Sequence, residues 1–215
     1  MRVIELFAGG MLIALVAADW WQFRRLTASG GRYGCPVARA EDVVPVDPAP
    51  GLSARFDPDG LLRLDHGVAR WFPGERRILL RSQSGPAAAR FRTAWPLKGT
   101  IEMDEAGGQA CLRCVKLMPW SSALLTLLWF AVVGVGTLAF VVRFLAGEDA
   151  FSLGSLLLVL GVVGVGLLVF VFGLVTVSLA YRLEDQRLME AYRELRAVLT
   201  DRPAAAQPDV KSDRN

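Results

Sequence analysis

The chain has 215 residues, 53% of them hydrophobic, and 24 lysines and arginines nearly balance 21 acidic residues to leave a net charge of +3. So large an apolar share in a short chain argues against an ordinary soluble domain and for membrane spans. The basic residues form no dense block of the kind that tracks phosphates, so nucleic acid is not an expected partner.

The first apolar stretch, "LFAGGMLIALVAA" at residues 6 to 18, lies between Glu5 and Asp19. It is short enough to be the core of a signal peptide, with "VAA" as the cleavage site. With the two acids at the interfaces it extends instead to a first span over about 3–23. That span is closed by Trp20, Trp21, Arg24 and Arg25, the pattern of a membrane exit. We read it as an uncleaved transmembrane segment covering 1–25.

Residues 26–51 are rich in Gly, Pro and Ala without a sustained period and are expected to form a linker. From 52 to 118 short apolar runs alternate with breaks. "DPDG" at 57 to 60 has the signature of a tight turn, with Pro58 fixing φ and Gly60 closing it. Between breaks, "LLRLDH", "RRILLRS", "RFRTAW", "TIEMD" and "QACLRCVKL" alternate as strands, predicting a small antiparallel β domain. The arginines of this region are interleaved with aromatics. Arg70, Trp71, Arg76, Arg77, Arg81, Arg90, Arg92 and Trp95 are therefore the candidate surface for anionic lipid headgroups or another partner.

Two further runs, 120–144 and 151–181, are long and apolar enough to span a membrane, giving a transmembrane helical hairpin over 119–182. Gly134, Gly136, Gly161, Gly164, Gly166 and Gly173 offer small surfaces for close helix approach. "GVGTLA" at 134 to 139 spells a dinucleotide fingerprint, but inside a span its N–H groups are already bonded, so no cofactor is expected. Residues 183–201 should continue as an amphipathic helix. Its stripe of Leu188, Tyr192, Leu195 and Leu199 is a candidate oligomer contact. Residues 202–215 have the composition of a disordered tail.

Arg24, Arg25, Arg32, Arg113, Lys116, Arg182, Arg187, Arg193 and Arg196 gather on one side of the spans. Arg2 and Arg143 lie on the other, so the β domain and carboxy terminus are predicted cytoplasmic in a multi-pass protein of a bacterial-type inner membrane. Cys111 and Cys114 invite a metal or redox site. A strand points i and i+3 to opposite faces, however, and no helix begins at 111 to lower a thiol pKa, so no metal is expected. His66 has no catalytic constellation near it in sequence. The spans lack the buried ionisable residues that mark ion pathways.

Taken together, the sequence predicts an α+β integral membrane protein with three transmembrane helices. The leading functional expectation is a non-enzymatic accessory or scaffold subunit, with membrane lipids and a membrane-protein partner or homo-oligomer as its contacts. An anionic-lipid or peptide sensor using residues 70–95 is the alternative, and a metal or redox protein through Cys111 and Cys114 the second.

Overall fold

The structure, a computed structural model, describes residues 2–44, 55–82, 93–106, 109–146 and 152–200. The chain divides into two compact units, one of Met1–Arg24, Thr93–Pro96 and Met118–Asp185, the other of Arg25–Arg92, Leu97–Leu117 and Gln186–Asn215.

The first unit holds α1 (Arg2–Arg24), α2 (Trp120–Leu145) and the first part of α3 (Leu153–Thr200). All three helices are long and apolar enough to cross a membrane, with mean hydropathies of 1.5, 2.3 and 2.9 in chain order. Their large side chains point outward: Leu6 is 77% exposed, Leu127 67% and Leu160 69%. In water that surface would be costly, and in hydrocarbon it is the expected one. The predicted third span and the amphipathic helix after it are one uninterrupted helix. The predicted tail and most of the loop between α2 and α3 fall outside the described residues.

Asp19 closes the start of α2. Pro119 precedes that helix and provides no side-chain cap of its own. The Asp19 carboxylate on α1 instead accepts hydrogen bonds from Ser121 N at 3.0 Å and Ser121 Oγ at 2.5 Å. An acid beside unsatisfied N–H groups complements the positive end of the helix dipole.

The second unit is built on a six-stranded sheet in the order β1-β6-β5-β4-β3-β2. The strands are β1 (Cys35–Val44), β2 (Leu61–Arg63), β3 (Gly67–Phe72), β4 (Arg77–Ser82), β5 (Lys98–Ala106) and β6 (Gln109–Met118). β2 through β6 form an antiparallel meander, and β1 joins the far side of β6. The expected turn at Asp57–Gly60 is present: Gly60 N donates to Asp57 O at 2.7 Å. Gly60 has φ +70° there, a conformation that side chains disfavour.

Three local expectations are corrected. The stretch read as a linker contains a 3-10 turn at Ser29–Arg32 and the whole of β1. "GVARWF", not singled out as a strand, is β3. The predicted strand "RFRTAW" is not one where it is described: its first residues lie outside the described set, and Thr93–Pro96 is held in the helical unit. There Thr93 Oγ1 donates to Glu184 Oε1 at 3.0 Å and Ser122 Oγ to Ala94 O at 2.8 Å. Side chains and carbonyls committed to helix partners cannot also complete a ladder.

Residues paired across the ladder share a face. One face therefore carries Ala69, Ile78, Leu80, Ile101, Leu112 and Cys114, all buried. The last turns of α3 cover it. Leu188, Ala191, Tyr192, Leu195 and Leu199 are buried there. A Cβ on Gly67 would come within 2.7 Å of Ala191 Cβ, so β3 admits the helix only as glycine. The stripe expected to meet another subunit is the core of its own unit.

Candidate functional site

The opposite face of the sheet carries Arg70, Arg77, Arg81, Lys98, Thr100, Glu102 and Arg113. The chain between Leu26 and Tyr33 crosses it as a strap, and three of the polar side chains bind that strap. Arg70 Nη1 donates to Leu26 O at 2.9 Å, Lys98 Nζ to Gly30 O at 2.6 Å and Tyr33 O at 3.2 Å, and Thr100 Oγ1 to Gly31 O at 2.8 Å. Gly31 lets the strap lie flat, since a Cβ there would sit 2.8 Å from Leu79 Cδ2. Lys98 is fully buried, and burial pulls its ammonium down to about 8.

Arg77 is equally committed. It is 6% exposed and bonds Glu75 Oε2 at 2.6 Å and Glu102 Oε1 at 2.9 Å. The arginine and aromatic surface expected from the sequence is thus divided. Arg70, Arg77 and Arg81 share one face, while Trp71 lies on the other, stacked on Phe56 at 6.4 Å between centroids. Trp95 belongs to the helical unit and donates Nε1 to Thr126 Oγ1 at 2.8 Å. Arg76 is exposed, in a left-handed conformation at φ 47°. Arg90 and Arg92 lie outside the described residues.

Toward the β1 edge, the same face opens into a polar cleft of ≈ 570 Å³ lined by Arg39, Glu41, Glu102, Arg113 and Val115. Arg113 Nε meets Glu41 Oε1 across it at 3.0 Å. The residues that sequence reasoning missed here, Lys98 and Thr100, were legible only as strand alternation. Their partners are backbone carbonyls about 70 positions away, which no motif announces.

Cys111 and Cys114 project to opposite faces of β6, Cys114 being buried and Cys111 partly exposed. They do not converge on one ligand. Among the described residues no group of three or more His, Cys, Asp or Glu is placed to hold a metal. His66 has a partner distant in sequence: its Nδ1 bonds Glu194 Oε1, and its backbone N donates to Glu194 Oε2 at 3.1 Å.

In the helical unit the six candidate packing glycines separate into two sets. A Cβ on Gly166 would approach Thr137 Oγ1 to 2.6 Å, and one on Gly173 would overlap the Trp129 ring, so both close α3 onto α2. Among the described residues, Gly134, Gly136, Gly161 and Gly164 have nothing within 4 Å of such a Cβ, and neither does Gly154. On a helix of 3.6 residues per turn, Gly154, Gly161 and Gly164 fall on one side of α3, well away from Gly166 and Gly173.

Comparison of the chain with protein-family models, with curated proteins and with solved structures finds no match.

Proposed function

We propose that this protein is a non-enzymatic accessory or scaffold subunit of a bacterial-type inner membrane. Its three helices cross the bilayer, and its sheet unit and carboxy terminus lie on the cytoplasmic side. The observation that carries this reading is the second glycine face of α3. Lipid tails are as apolar as leucine, so helices associate in a membrane where small residues allow close backbone approach. Glycine costs about 1 kcal/mol against alanine in a helix interior. Gly166 and Gly173 recover that cost by admitting α2. Among the described residues, Gly154, Gly161 and Gly164 meet no atom at such a distance and suit a transmembrane helix of a partner protein.

A photo-crosslinker at Leu157, between these glycines on the same side of α3, tests the reading in native membranes. One discrete protein adduct is expected, and it should be lost in a Gly161→Leu, Gly164→Leu variant. Adducts to lipid alone in both proteins would overturn it.

A second reading, a peptide or anionic-lipid sensor, draws support from the cleft at the β1 edge. Its paired Arg113 and Glu41, with Arg39 and Glu102 beside them, suit an extended peptide better than a headgroup, because both signs of charge are present.

A further inference from the structure

The helical unit contains a cleft of ≈ 470 Å³ formed by α1, α2, α3 and the segment at Ala94 and Trp95. Its volume is within the roughly 300–1,000 Å³ typical of ligand sites. Trp20, Trp95, Trp129 and Phe172 are its aromatic lining residues.

The hydroxyls on that wall and the indole N–H of Trp95 already have partners. Trp95 Nε1 donates to Thr126 Oγ1 at 2.8 Å and Thr126 Oγ1 to Ser122 O at 2.7 Å. Ser122 Oγ donates to Ala94 O at 2.8 Å and Thr176 Oγ1 to Phe172 O at 2.8 Å. A polar ligand entering here would give up hydrogen bonds to water and find few replacements, whereas a hydrocarbon chain gives up nothing. The guanidinium of Arg24, exposed on the last turn of α1, lies 5.5 Å from the centroid of the Trp20 ring, and the same ring lines the cleft.

We infer that the cleft holds an acyl chain of an anionic phospholipid whose headgroup sits on Arg24. The inference rests on the proposal that the three helices cross the bilayer. The surrounding lipid supplies the chain. The aromatic walls favour a flexible alkyl group that fills an irregular space by dispersion contacts. Arg24 adds selectivity for negative charge at the depth where headgroups lie, worth about a five-fold preference over a zwitterionic lipid of the same chain. The site is distinct from the open glycine face of α3, because Gly173 lines the cleft while Gly161 and Gly164 point elsewhere.

The test uses the full chain with Trp21, Trp71 and Trp120 replaced by Phe, so that fluorescence comes from the three tryptophans of the cleft. The protein is reconstituted in nanodiscs of phosphatidylcholine containing acyl-brominated phosphatidylglycerol or acyl-brominated phosphatidylcholine at matched fractions. Recovery of the protein in the disc fraction reports membrane insertion separately, so a chain that stays out of the disc contradicts the spanning proposal rather than the lipid site. In inserted protein, half-maximal quenching is expected at about five-fold less brominated phosphatidylglycerol than phosphatidylcholine. Arg24→Gln should erase the difference, and Val177→Phe, which fills the cleft, should weaken quenching by both. Equal quenching of the unsubstituted site by the two lipids, or a preference that survives Arg24→Gln, would overturn the inference.

Discussion

Lys98 shows what a single side chain contributes and how little of it the sequence displays. In "PLKGTIEMD" it is one more polar position of an alternating strand. In the fold it is fully buried and clamps the strap through Gly30 O and Tyr33 O. Its ordinary value of 10.5 falls to about 8 because burial disfavours the ammonium. Below pH 8 the group is charged in both folded and unfolded chains, and the folded state bears the full cost of burying that charge. As pH rises from 8 to 10.5 the folded chain releases the proton while the unfolded chain keeps it, so stability rises. Denaturant midpoints of the full chain in detergent should show wild type gaining on Lys98→Met across that window, by at most about 3 kcal/mol. A difference that stays flat with pH would mean the ammonium is solvated. Asp19 repeats the lesson: its sequence marks a membrane interface, while its role as cap for α2 depends on a helix that begins a hundred residues later.

Secondary-structure elements were legible where periodicity was long. The three helices lie within a residue or two of their predicted bounds, and the third continues to Thr200 through the stretch read as its amphipathic extension, because hydropathy over about 20 residues leaves few alternatives. Strands were less so. β1 reads as a linker because "CPVARAEDVV" has Pro at its second position and carries charges on an exposed edge, where burial imposes no alternation. β3 is hidden by the small residues Gly67 and Ala69, both on the buried face, where Gly67 meets Ala191 of α3.

That docking of α3 carries a pH dependence through His66 and Glu194. The hydrogen bond and charge of Glu194 raise His66 above its ordinary 6.5. Burial pushes Glu194 up, but the hydrogen bonds from His66 outweigh it and leave the carboxyl below its ordinary 4.5. The raised histidine contributes stability that is complete below pH 6.5 and fades as pH passes its folded value. The lowered carboxylate contributes stability that is complete above pH 4.5 and fades below it. Wild type minus Glu194→Gln should therefore be largest between pH 4.5 and 6.5 and shrink above, read from denaturant midpoints. A difference that grows from pH 6.5 to 9 would contradict the pairing.

At the level of the full chain, one layout accounts for most of these features. Three apolar helices suit hydrocarbon, and the sheet unit has one face covered by α3 and the other crossed by a strap. The division of the arginine and aromatic surface could not be anticipated, because it depends on strand register: a shift of one residue exchanges the two faces. The two glycine faces of α3 were likewise indistinguishable in sequence, since only the placement of α2 tells which one is filled.

The central claim is that this layout sits in a membrane with the sheet unit inside, and site-directed thiol labelling addresses it most directly. In intact cells a membrane-impermeant maleimide should leave Cys35 and Cys111 unlabelled until the membrane is permeabilised. A cysteine placed at Ser152, exposed beside the start of α3, should label without permeabilisation in a background lacking the native cysteines. Labelling of Cys35 or Cys111 in intact cells, with Ser152→Cys protected, would invert the topology and contradict the account.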